Sequence, residues 1–217
     1  MILVTGFGPY REDFNASGEL VASFKKDLPG ELLSLRDQLA FEVISCDDTS
    51  RETEHRTLED QLAGLLNLHQ PELCIFTGQA PPYNKITIEK IATNSFMRKT
   101  IDPDRPVAYW SNLPGTEGLQ ALLEAHAIPT DYSFYGGQHL CNHILYSSLY
   151  FAETHKLAHR SGFIHIPLLP EQVIKQHRDS ASMPIDMTRK ALALVINHVA
   201  EAHRQQSTAE GAASPVS

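Results

Sequence analysis

Short apolar runs closed by glycine or polar residues alternate along this chain with stretches of helical periodicity, and that alternation most limits the fold. Ile2-Leu3-Val4-Thr5 ends at Gly6 and reads as a buried strand. A helix is expected after Ser17, with Leu20, Val21 and Phe24 on one face, then a strand over 40–45. Thr49 and Glu52 form a capping box for a helix through Leu58, Leu62, Leu65 and Leu66. Leu73–Phe76 is a third buried strand, and 85–91 alternates like a half-exposed one. Residues 95–115, polar and holding three prolines, read as a surface excursion. A short helix at 119–127, a strand at 132–135, a helix at 140–151 and a strand at 162–166 follow. Pro184 suits the first turn of a last helix reaching about Gln205. Strands alternating with helices predict one α/β domain over 1–205: a three-layer α/β/α sandwich with a mixed, largely parallel sheet. The Ser-, Ala- and Gly-rich residues 206–217 are expected to be a disordered tail.

Such sheets place ligands where strands give way to loops at their carboxyl ends, so chemistry is sought there. Cys141 follows the Gly136-Gly137 pair at the start of a predicted helix. Unpaired amides at a helix N-terminus favour a thiolate; equally, a free cysteine can be a small core residue. His165 lies near the end of the 162–166 strand, where a general base would be mounted, or is a hydrogen-bonded core histidine. Glu89, a charge inside an apolar strand pattern, could orient His165 as the third member of a triad does. It could also sit on a solvated face beside Lys90.

Other signals are weaker. Gly6-x-Gly8 after the first strand resembles a phosphate cradle, but Arg11 fills the third glycine position and Pro9 interrupts the turn. His139 and His143 share a helix face, yet no carboxylate joins them nearby. Cys46 and Cys74 belong to apolar strands and read as structural. Three widely spaced cysteines suit a reducing cytosol better than a disulfide framework. A net charge of −8 opposes nucleic-acid binding and docking on anionic membranes. No stretch approaches the roughly 18 apolar residues of a membrane span, and the N-terminus lacks signal-peptide features. A cytoplasmic location follows.

Four separated segments together resemble the pyroglutamyl-peptidase I, or pyrrolidone-carboxylate peptidase, family. They are Leu3–Tyr10 with Asn15 and Ser17; Gly78–Pro81 with Ile86–Asn94; Ser133 through Cys141-Asn142 to Tyr146; and Phe163–Pro167. The resemblance implies a phosphorylase/hydrolase-like α/β/α fold and a cysteine exopeptidase that removes N-terminal pyroglutamate through a thioester. It implies Cys141 as nucleophile, His165 as general base and acid, and Glu89 as the residue orienting His165. Phe7 and Tyr10 would flank the lactam, with Gln79 near the site and Leu140 in the pocket wall. No cofactor or metal is implied; the partners would be pyroglutamyl peptides and further copies of the chain, often as a tetramer. Tyr135, Gly136 and His139 depart from the family pattern, and His139 replaces a pocket aromatic, which bears on substrate preference. Arg98 or Lys99 could assist the oxyanion. The alternatives are a divergent hydrolase or nucleoside-phosphorylase-like enzyme of the same fold, and a non-enzymatic small-molecule binder.

Overall fold

The computed structural model describes residues 1–10, 12–46, 54–176 and 178–213. Its strands are β1 (Ile2–Phe7), β2 (Leu39–Ile44), β3 (Leu73–Gln79), β4 (Ile86–Glu89), β5 (Ile91–Thr93), β6 (Ser95–Phe96), β7 (Lys99–Thr100), β8 (Ala108–Trp110), β9 (Thr130–Ser133) and β10 (Arg160–Ile166). The helices are α1 (Ala16–Lys26), α2 (Glu54–His69), α3 (Leu119–Ala125), α4 (Leu140–Thr154), α5 (Pro170–Lys175) and α6 (Ile185–Ala213). No helix among the described residues is long and apolar enough to cross a membrane.

Six strands form the main sheet in the order β2-β1-β3-β10-β4-β9. The first four are mutually parallel; β4 runs antiparallel to β10 and parallel to β9. The sheet is therefore mixed and largely parallel, as expected. Because strand side chains alternate between faces, Leu3 and Phe163 enter one hydrophobic cluster while their neighbours Val4 and Ile164 enter the other. The first cluster is covered by α2 and α4, through Leu62, Ile144 and Tyr146. The second is covered by α1, α3 and α6, through Leu20, Leu123 and Val195. Near-continuous apolar strands are what a sheet buried on both faces requires.

The glycines near the first strand serve packing. A Cβ on Gly6 would lie 2.2 Å from the Ser17 carbonyl oxygen, and one on Gly18 2.4 Å from that of Phe7. Helix α1 thus rests directly on β1, and Asn15 caps it by accepting from the Ser17 amide. This contact accounts for Gly6 without a phosphate.

Three expectations differ from the structure. The strand expected over 85–91 breaks at Lys90, whose amide donates to the Ser133 carbonyl while its own carbonyl accepts from Ser111. Beyond the break, β5 pairs with β8 outside the main sheet, so the 95–115 excursion is tied down by local strands. The last helix runs to Ala213, past Gln205, so the part of the tail up to residue 213 is helical. The capping box at Thr49 and Glu52 lies outside the described residues.

Candidate active site

Sheet register assembles the first part of the site. In the β10–β4 ladder His165 pairs with Thr87 and Phe163 with Glu89. His165 and Glu89 are therefore diagonal neighbours on one face, within reach of long side chains. A one-residue slip of β4 would turn Glu89 to the other face. In place, Glu89 Oε1 stands 2.7 Å from His165 Nδ1, with the two residues only 1% and 4% exposed. The solvated-face reading of Glu89 is thereby excluded. Its Oε2 is buried and has no hydrogen-bond partner among the described residues. Tyr83 completes this side: its ring meets His165 edge-on at 5.2 Å, and its hydroxyl lies 3.4 Å from both Glu89 Oε1 and Ser133 Oγ.

Cys141 is the second residue of α4, one helix upstream of β10. Gly137, at φ +82°, makes the turn into the helix, and the extended His139 gives no side-chain cap. The first-turn amides are thus left uncapped by His139, next to the thiol. The sulfur is seated against β3. A Cβ on Gly78 would lie 2.9 Å from Cys141 Sγ and 2.7 Å from Phe163 Cζ, so any larger residue there must push the sulfur or the ring aside. Burial opposes the charged form of His165, but the Cys141 sulfur and the hydrogen-bonded Glu89 carboxylate outweigh it and raise the ring to about 9. Both neighbours thus favour the charged ring over the neutral one.

The structure brings Phe7 and Leu140 into the hydrophobic cluster against which Cys141 packs; both are nearly buried. Tyr10 meets the His139 ring at 5.3 Å, and Phe96 stacks on that ring from 5.4 Å. His143 is fully buried, 3.6 Å from Glu59. Gln79 uses its side-chain oxygen to accept from the Ala16 amide and from Gln172, each at 2.8 Å. Arg98 occupies a tight, exposed hairpin turn with φ +65°, and Lys99 follows it, also exposed. Cys74 is fully buried, and burial pushes its thiol up to about 12, as suits a structural residue.

Sequence reasoning missed three polar residues at the site. Tyr83 and Ser133 approach Glu89 through a loop and a strand pairing that no local pattern reveals. Asn142 follows Cys141 and is buried; its amide donates to the Thr93 and Ser95 carbonyls and its oxygen accepts from the Thr93 amide. A polar residue on the inner face of an apolar helix was its available signal.

A family model described as pyroglutamyl peptidase matches residues 1–202. The chain belongs to the pyroglutamyl peptidase family, a family of cysteine peptidases. A pyrrolidone-carboxylate peptidase of Enterococcus faecalis is 31% identical over 208 residues, covering 90% of this chain and 91% of that protein. Pyroglutamyl peptidase I from Bacillus amyloliquefaciens has a similar structure, with TM-score 0.76 and 27% identity over 92% of this chain and 94% of that one. A mutant pyrrolidone carboxyl peptidase from Pyrococcus furiosus superposes with TM-score 0.79 and 27% identity, over 92% and 98% of the two chains. Membership in this family leaves the phosphorylase and binding-protein readings without support.

Proposed function

We propose that residues 1–205 act as one catalytic domain that hydrolyses the N-terminal pyroglutamyl residue from peptides. The observation that carries this reading is the buried Glu89–His165 pair beside a cysteine at a helix N-terminus. Cys141, as thiolate against the imidazolium, attacks the carbonyl linking the lactam ring to the next residue. The oxyanion is received by main-chain N–H groups of the first turn of α4. His165 protonates the leaving amine; the neutral ring then takes a proton from water, which hydrolyses the thioester and restores the thiolate. Glu89 fixes the ring and balances its charge. Phe7, Tyr10 and Leu140 wall the lactam side, and Gln79 braces that wall through the start of α1. The enzyme works in the cytoplasm as a homo-oligomer, a tetramer by family resemblance, without cofactor or metal.

Release of aminocoumarin from its pyroglutamyl amide tests the activity. Reduced wild-type protein turns over this substrate, and Cys141→Ala lowers kcat by about 10⁴-fold or more while the fold is retained by circular dichroism. A wild-type protein inactive on this amide and on pyroglutamyl peptides would refute the proposal.

A further inference from the structure

The peptidase reading fixes which way the released peptide must lie. The leaving amine takes its proton from His165, so the chain beyond the scissile bond passes on the His165 side of Cys141. The lactam side carries Phe7, Tyr10 and Leu140. On the opposite side stand Tyr83 and the 133–136 turn. The Tyr83 hydroxyl is 3.3 Å from the Tyr135 carbonyl oxygen and 3.4 Å from Glu89. A Cβ on Gly136 would lie 3.7 Å from Glu89 Oε2. Tyr135 thus leaves the main chain at the rim of the site.

Tyr135 is 57% exposed; Phe134, which precedes it in the turn, and Trp110 are each 63% exposed. Trp110 and Phe134 pack edge to face at 6.1 Å. Single exposed aromatics are ordinary, but an exposed Trp110–Phe134 ring pair followed at once by the exposed Tyr135, in a turn held to the site through Tyr83, offers apolar area at the rim of the cleft. Aromatic rings also give large contact area at low cost in side-chain order.

We propose that Tyr135, backed by Phe134 and Trp110, is an aromatic ledge for the residue after pyroglutamate, so that the enzyme favours peptides with a large apolar side chain there. The inference rests on the peptidase reading and deepens it. Tyr135 takes the first residue of the leaving peptide, and Phe134 with Trp110 the next.

The test compares kcat/KM for pyroglutamyl-phenylalaninamide, -leucinamide, -glycinamide and -aspartamide. The wild-type protein is expected to favour the phenylalanine over the glycine compound about tenfold. The ratio is expected to fall to about twofold in Tyr135→Ala and to survive in Tyr135→Phe. Phe134→Ala and Trp110→Ala should act on pyroglutamyl-glycyl-phenylalaninamide more than on the dipeptide amides. An equal ratio in the wild type and Tyr135→Ala overturns the ledge. So does a Tyr135→Ala protein that sediments as a smaller species with its ratio unchanged, which would give these aromatics to a second copy. Failure to cleave any pyroglutamyl amide is a separate outcome that removes the peptidase reading and the ledge with it.

Discussion

Two glutamate–histidine pairs flank helix α4, and they differ in what neutralises the carboxylate. Glu89 faces His165 at 2.7 Å with no guanidinium or ammonium against it among the described residues. Glu59 lies 3.6 Å from His143, but Arg105 reaches the same oxygen at 2.7 Å and Ser147 at 3.0 Å. Arg105 in turn lies over the Tyr150 ring at 4.3 Å. Burial pushes the Glu59 carboxyl up, but the Arg105 hydrogen bond and charge more than offset it and hold the group below its usual range. The Glu59 charge is thus satisfied by arginine, and the group ties α2, α4 and the 102–106 loop together. The Glu89 charge is held for a histidine that can move a proton. Similar components give a strut in one place and a reacting pair in the other, and the counter-charge decides which.

Removing each carboxylate's charge or partner should separate the two roles. Glu89→Gln is expected to lower kcat about 10³-fold with the fold retained, measured with the pyroglutamyl aminocoumarin amide. A loss below tenfold would erase the distinction between the two pairs. Gly78→Ala drives a methyl against the sulfur and Phe163; displacing the thiol by about an ångström should cost about 10²-fold in kcat, with KM moving less. Arg105→Met leaves Glu59 without its main partner and should destabilise the protein by about 2 kcal/mol in urea titrations, with kcat changed only a few-fold.

The pairs should also respond at opposite ends of the pH scale. His165 is raised above its ordinary value of about 6.5, so its stabilising contribution is full below that pH and lost as pH rises through about 9. Turnover of the aminocoumarin amide should decline along the same limb, about fivefold from pH 9 to 10. Glu59 is lowered, so its contribution is present above the ordinary carboxyl range and lost as pH falls through its depressed value. Arg105→Met should remove that acid-side contribution and leave the alkaline limb of activity in place.

The strands, their alternation with helices and the position of Cys141 at a helix start were legible in the sequence. Each depends on a local pattern of apolar residues and glycine. His165 was legible as a strand-end histidine. Glu89 was visible only as a charge in the wrong place, because its meaning depends on a ladder between residues 76 positions apart. Tyr83 and Arg105 gave no local signal, since each acts on a partner brought by long-range packing. The break at Lys90 was hidden for a related reason. Alternation continues across it, while the hydrogen bonds pass from the main sheet to the β5–β8 pair. The helical residues beyond Gln205 were missed because their composition favours disorder more than their extension of α6 favours helix.

The antiparallel β4 has an effect on how this site can be altered. Because Glu89 reaches His165 through strand register, its distance and direction cannot be tuned by degrees. Adding or removing one residue within β4 exchanges its faces outright, and two are needed to recover the right one. Length changes in the 80–85 loop before the strand escape that rule as long as the ladder holds. The reacting pair is thus adjusted in whole steps along β4, whereas the aromatic rim around it can vary one side chain at a time.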